Sequence, residues 1–281
     1  MQEGKFSKTA HRVAIRRAAH QLLDNPKVLD DPLALRIIGS EAADDLRSNP
    51  KEHHAFSRAF RAFMAARSRY AEDELARAVA HGVRQYVVLG AGLDTFAYRN
   101  PHPGLRVFEI DHPSTQTWKR EQLYAADIPI PPSMTFVPID FERQTLTAGL
   151  EHSGLDASSP AFFSWLGVTP YLTHDACMTT LSFIASMPAG SGVVFDFAVD
   201  PALLNPGQRQ ALDALSKRVA ATGEPFQLFF NPNKLQDELK RLGFRRTEFL
   251  QGKDLNARYF NERTDGLLVR SSIGHLMAAW V

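Results

Sequence analysis

The sequence predicts a doubly wound α/β domain, with a mostly parallel sheet of seven strands, a helical extension before it and an extra helix inserted after the fifth strand. Three observations predict it. From residue 84 onward, short β-rich runs alternate with helical stretches, the pattern of a parallel sheet covered on both faces. The first run ends directly in a glycine turn, Gly90-Ala91-Gly92. The second ends in an acid, Asp111, about 20 residues further on.

The elements follow in order. Residues 10–23 carry Val13, Ile15, Leu22 and Leu23 among alanines and arginines and read as a helix. Asp30-Asp31-Pro32 reads as a helix start, with Asp31 as cap and Pro32 at the first helical position. Leu33, Leu35, Ile37 and Ile38 continue it, and Gly39 stops it. Asn49-Pro50 marks a break, and residues 54–80 read as one or two helices ended by His81-Gly82. The strands then fall at 84–89, 105–110, 134–137, 161–166 and 193–195, with helices at 114–126 and 174–187. Residues 201–222 form the inserted helix. Leu235, Leu239 and Leu242 share one helix face, capped by Gly243. Phe244 to Leu250 and residues 275–281 are the last two strands. The chain thus divides into a helical lid over 1–80 and a strand-helix core over 81–281 of one domain.

Composition excludes several classes. Of the 281 residues, 44% are hydrophobic and 22% charged, which excludes a disordered tail, a collagen-like rod and a coiled coil. Lys+Arg is 32 and Asp+Glu 31, so there is no basic excess for a nucleic-acid partner. The one cysteine, Cys177, excludes an intramolecular disulfide and every multi-cysteine metal site. It lies four residues before Leu181 on a helix, which suits a core position. No stretch of roughly 18 apolar residues occurs, and the basic N-terminus lacks the apolar stretch of a signal peptide. The expectation is a soluble cytoplasmic protein without a membrane partner. The sequence carries no signature of oligomeric state.

In an open α/β sheet a ligand binds outside the carboxyl ends of the strands. Glycines at Gly90 and Gly92 let the backbone approach it. Asp111 can accept both hydroxyl hydrogens of a ribose, so the ligand is of nucleoside type. A dinucleotide would need a third glycine, and position 95 is Thr95. A methyl donor such as S-adenosylmethionine has no pyrophosphate and needs no such glycine. Its amino-acid carboxylate needs a cation. On the helix around 56–67, Phe56, Phe60, Phe63 and Met64 form an apolar stripe that also carries Arg67, whereas Arg69 points to the opposite face. A buried arginine needs an anionic partner, either a structural acid or the ligand's carboxylate.

Several segments together resemble the leucine carboxyl methyltransferase family, most closely its bacterial branch of S-adenosylmethionine-dependent methyltransferases. They are Ser7-Lys8-Thr9-Ala10, Asp30-Asp31-Pro32, Ala65-Ala66-Arg67-Ser68-Arg69-Tyr70-Ala71-Glu72-Asp73, Gly82 through Thr95, Phe108-Glu109-Ile110-Asp111-His112-Pro113, Pro170-Tyr171-Leu172 and Leu255-Asn256-Ala257-Arg258-Tyr259-Phe260. The resemblance covers nearly the whole chain. It implies a class I methyltransferase-like, Rossmann-like fold with S-adenosyl-L-methionine as cofactor. It implies that Arg67 holds the cofactor carboxylate, that Gly90 and Gly92 lie beside the methionine portion and that Asp111 binds the ribose. It implies further that Asp140 and Phe141 frame the adenine, that Lys8 in the lid reaches the cofactor and that Tyr171 contacts the substrate. The chain departs from the pattern after the fourth strand. Some members carry a glutamate there, whereas Trp165-Leu166-Gly167-Val168-Thr169-Pro170 contains no acid.

The implied reaction is in-line transfer of a methyl group to an oxygen, forming a methyl ester on a carboxylate of a small molecule. A carboxylate is ionised at pH 7 and needs no general base, so no catalytic residue is assigned. A phenol or alcohol of a secondary metabolite is the alternative acceptor, and a base would help it. His112, His174 and His275 lie near strand ends or edges without an orienting acid in sequence. No G-x-S-x-G elbow and no metal spacing occur, so no metal is expected. A nicotinamide-dependent oxidoreductase is disfavoured by Thr95, and a non-catalytic S-adenosylmethionine-binding regulator is the remaining rival.

Overall fold

The computed structural model describes residues 7–140, 144–221, 223–270 and 273–281. Three helices open the chain: α1 (Lys8–Leu23), α2 (Ala34–Ile37) and α3 (Ser40–Ser48). Ser7 starts α1 by accepting a hydrogen bond from the Ala10 amide. The long helix α4 (Ala55–Ala80) follows, one helix and not two, because nothing in its 26 residues breaks it. Next come β1 (Gln85–Leu89), β2 (Arg106–Asp111), α5 (Pro113–Ala125), β3 (Met134–Pro138), α6 (Leu146–Leu150), β4 (Phe162–Trp165), α7 (His174–Ala185) and β5 (Gly192–Ala198). The chain ends with α8 (Pro206–Ala220), α9 (Pro232–Leu242), β6 (Arg246–Leu250), α10 (Gly252–Tyr259) and β7 (Gly274–Trp280).

The seven strands form one sheet in the order β3-β2-β1-β4-β5-β7-β6. All neighbouring pairs are parallel except those of β7, which runs antiparallel to both β5 and β6. Buried positions alternate between two faces, as the period of two requires. Tyr86, Val88, Val107, Phe162 and Val194 pack under α4 and α10. Val87, Leu89, Phe108, Phe163 and Phe195 pack under α7 and α9. A third cluster joins α1, α2 and α3 to Leu93 and Leu123, so the helical extension rests on the core beside the glycine turn.

Three local expectations are corrected. Phe56 does not belong to the buried stripe; it is 52% exposed in the first turn of α4, against Phe60 and under the Arg218 guanidinium. Asp31 is not a helix cap, since its fully buried carboxylate accepts hydrogen bonds from Arg17 and Thr95. The inserted helix is shorter than 201–222: a single 3-10 turn at Pro201–Leu203 precedes α8, which starts at Pro206 in a capping box of Asn205 and Gln208. Helices α6 and α10 have weaker periodicity and are not legible in the sequence as helices.

Strand order reverses between β1 and β4, because β2 and β3 lie on one side of β1 and β4 and β5 on the other. A crevice opens at the carboxyl ends of strands at such a point.

Candidate functional site at the switch between the first and fourth strands

A cleft of about 350 Å³ occupies that crevice. Its floor is the β1 turn. Gly90 and Gly92 have φ of +66° and +47°, a region that costs an L-residue energy. A β-carbon on Gly90 would stand 2.3 Å from Cγ2 of Val168, so the turn and the β4 loop meet there without room for a side chain. A β-carbon on Gly92 would meet Ala10 of α1 at 3.0 Å. Gly92 is therefore required by the lid helix lying on it.

Asp111 closes the same turn. Its Oδ2 accepts from the Gly92 amide at 2.6 Å and its Oδ1 from the His112 amide at 2.7 Å. Burial raises its pKa against the pull of these two bonds. Each oxygen retains acceptor capacity toward the cleft, which Asp111 lines.

Arg67 lies on the buried face of α4 and is 4% exposed. Its Nη1 donates to Oδ2 of Asp196 at 2.5 Å, and the other Asp196 oxygen accepts from the Gly167 amide at 2.5 Å. Among the described residues, Nη2 and Nε of Arg67 have no hydrogen-bond partner. A β-carbon on Gly167, whose φ is +77°, would come within 3.0 Å of Nη2. The guanidinium thus sits under the β4 loop and lines the cleft with one edge bound and one edge available. Arg69 is half-exposed and donates to Asp73 at 2.7 Å, outside the cleft lining. Asp196 escaped the sequence reading. Its signal is an acid inside the apolar run Val193-Val194-Phe195-Asp196-Phe197.

Of the remaining predicted positions, Asp140 lines the cleft with Ile139, and its carboxylate stands 3.9 Å from Nε2 of His112. Phe141 lies outside the described residues. Lys8 does not line the cleft and is exposed. The inner face of α1 is Ala10, Val13, Ala14 and Arg17, and Lys8 lies two residues before Ala10, on the other side of the helix. The lid cation that reaches the cleft is Arg17. It donates to Asp31 at 2.7 Å, to Oγ1 of Thr95 at 2.8 Å and to Asp94 at 3.2 Å.

The end of the cleft over β4 and β5 is built from Thr9, Tyr171, Leu172, Glu224, Pro225 and Gln227. Burial pushes the Tyr171 hydroxyl up to about 12, so it stays neutral, and it shares a hydrogen bond with Thr9. The ring centroid of Tyr171 is 5.3 Å from that of Phe226. Thr9 Oγ1 donates to Oε2 of Glu224, which ties the start of α1 to the segment after α8. Gln227 fixes that segment by donating from its backbone amide to Pro170 O at 2.7 Å and from its side chain to Tyr171 O at 2.8 Å. Glu224 carries no sequence signal, since only the fold brings position 224 to position 9.

The histidines divide. His112 lines the cleft, His174 is exposed beside Glu238, and His275 is buried against Phe197 and Phe249, where burial lowers it to about 4. Cys177 is fully buried in the core. Among the described residues, no group of three or more His, Cys, Asp or Glu could hold a metal ion, and no helix is long and apolar enough to cross a membrane.

Comparison with known proteins bears on the same site. The family model described as leucine carboxyl methyltransferase matches residues 10–185. A protein of Bacillus subtilis (strain 168), named "Putative S-adenosyl-L-methionine-dependent methyltransferase YktD", is 31% identical over 99% of this chain and 99% of its own length. A relative in Mycobacteroides abscessus with the same description is 33% identical over 75% of this chain and 69% of its own. A crystal structure from Thermobifida fusca YX is similar at a TM-score of 0.61 with 17% identity, covering 99% of this chain and 96% of that one. A second, from Streptomyces avermitilis, has a TM-score of 0.55 with 14% identity, covering 94% and 96%. At these identities the two structures speak for the fold alone.

Proposed function

The chain belongs to the leucine carboxyl methyltransferase family and is an S-adenosyl-L-methionine-dependent methyltransferase, and from that premise we propose that it methylates an oxygen of a small-molecule acceptor. Bound in the cleft, the cofactor supplies a methyl group on a positively charged sulfur. The residues fit it. Asp111 offers acceptor oxygens that we assign to the two ribose hydroxyls, and Asp140, which also lines the cleft, is the residue we assign to the adenine. Gly90 and Gly92 let the turn pack against Val168 and Ala10 on the cleft floor, beside the place we assign to the methionine portion.

The observation that carries the reading is Arg67. A guanidinium this buried, with one edge neutralised by Asp196 and the other open to the cleft, matches a carboxylate ligand. Arg67→Lys should weaken S-adenosylmethionine binding about tenfold or more, while Arg69→Lys should not, with both affinities read by titration calorimetry. A decarboxylated donor analogue should bind the wild type poorly and lose little more on Arg67→Lys. Equal sensitivity of donor and analogue would make Arg67 purely structural.

The family description favours a carboxylate acceptor and a methyl ester product. Such an acceptor is already ionised, and the protein's work is then orientation and exclusion of water, worth roughly 7–11 kcal/mol. A hydroxyl acceptor is the second reading. It is favoured by one observation, the carboxylate of Glu224 in the cleft lining beyond Tyr171.

A further inference from the structure

Five acids line the cleft: Glu72, Asp94, Asp111, Asp140 and Glu224. Four are engaged by groups that neutralise or fix them. Glu72 is bound by Arg99, Asp94 by Arg17 and the Phe96 amide, and Asp111 by two amides. Asp140 faces His112. Glu224 is held by a single neutral side chain, the Thr9 hydroxyl on Oε2. Among the described residues its Oε1 has no hydrogen-bond partner.

The cations of the cleft lining have other assignments, the open edge of Arg67 going to the cofactor carboxylate in the reading above. Arg67 is bound to Asp196, and Arg17 to Asp31 and Asp94. An acceptor carboxylate placed beside Glu224 would meet a like charge without a compensating cation, which is unfavourable. A neutral hydroxyl would meet an acceptor for its proton. Tyr171, neutral and packed at a tilt against Phe226, adds an aromatic wall next to that position.

Resting on the reading of an oxygen methyltransferase, we propose that the acceptor is a hydroxyl and that Glu224 is its general base. The acceptor oxygen uses a lone pair to form the new C–O bond. The bond from methyl carbon to sulfur breaks, its electron pair stays on sulfur, and the positive charge there is neutralised. The hydroxyl proton passes to Oε1 of Glu224 and then to water. Thr9 is a positioning residue, because its hydrogen bond fixes the other carboxylate oxygen.

The test uses the full chain, methyl-tritiated S-adenosylmethionine and a protein-free bacterial metabolite extract as the acceptor pool. Labelled products are split between mild alkali, which releases methanol from methyl esters, and hydriodic acid, which releases methyl iodide from esters and ethers alike. Label stable to alkali and freed by hydriodic acid is the expected result. Label freed by alkali overturns the hydroxyl proposal and leaves oxygen methylation standing. Label released by neither reagent, or no transfer at all, overturns oxygen methylation and this proposal with it. On the purified hydroxyl acceptor, Glu224→Gln should lower kcat about 10²- to 10⁴-fold, with donor affinity unchanged by calorimetry and partial recovery in Glu224→Asp. A Glu224→Gln enzyme with wild-type kcat overturns the role of the base.

Discussion

Arg67 shows how a charge is kept inside a fold. A guanidinium this deep is tolerated only with an acid against it, and Asp196 supplies one while also pinning the Gly167 amide. Asp196→Asn removes that charge and leaves the arginine uncompensated. Chemical denaturation should show a loss of about 3–5 kcal/mol, larger than for a surface acid. Asp111→Ala removes an acid whose structural bonds are two backbone amides, that of Gly92 in the β1 turn and that of its own neighbour His112. We expect a folded protein whose affinity for S-adenosylmethionine drops about ten- to a hundredfold by calorimetry, since hydrogen bonds to a charged group contribute roughly 1.5–3 kcal/mol. The two residues also mark the limits of reading a sequence. Asp111 and the glycines were legible because a strand end fixes their place. Arg67 was legible because a helix face does. Asp196 and Glu224 were not, because their partners lie 129 and 215 positions away; an acid inside an apolar run marks Asp196 without naming its partner, and nothing local announces Glu224. Lys8 is exposed and outside the cleft lining; motif likeness gives a position in the chain but not a side of the helix.

Among the elements, α1 has two attachments to the cleft. At its start Thr9 holds Glu224, and near its middle Arg17 reaches Asp31, Thr95 and Asp94. Between them Ala10 rests on Gly92. Arg17→Ala would leave Asp31 fully buried with Thr95 and the more distant Arg99 as partners. We expect α1 to loosen, with faster hydrogen exchange over residues 8–23 and weaker donor binding, while amides of β1 and β4 keep their protection. Unchanged exchange in α1 would mean that the apolar contacts of Ala14, Ala18 and Ala19 hold it alone. The order of helices and strands was legible from periodicity, since long amphipathic or fully apolar runs have few alternatives. The capping of α2 was not, because Asp31 in front of Pro32 has the composition of a cap and the tertiary role of an ion-pair partner.

At the scale of the whole molecule, α1 is tied to the long helix α4 through a buried carboxylate. Asp24, at the end of α1, takes two hydrogen bonds from Arg61 of α4, at 2.7 and 2.9 Å, and one from His20 at 2.8 Å. Nε2 of His20 accepts from the Val28 and Leu29 amides, so the ring is the tautomer that donates from Nδ1. Burial alone would raise Asp24, but the bonds from Arg61 and His20 outweigh it and hold it at about 2. Its folded pKa lies below its unfolded one, so its contribution of about 2 kcal/mol is complete above the ordinary carboxylate value. That contribution is lost as pH falls from about 4 through 2, and Asp24→Asn should flatten this limb of a stability-versus-pH curve. Fold class was legible at this scale, and the antiparallel β7 between β5 and β6 was not, since neighbours in space need not be neighbours in sequence. That insertion has a consequence during synthesis. While the ribosome is still making residues 251–273, β5 has β4 on one side but no β7 on the other, so one edge of a strand that is apolar apart from Asp196 has nothing to cover it. An edge of that kind pairs readily with another chain. Nascent chains arrested in this window should therefore bind chaperones and resist folding, and release of the full chain should abolish both, as read by crosslinking and protease protection.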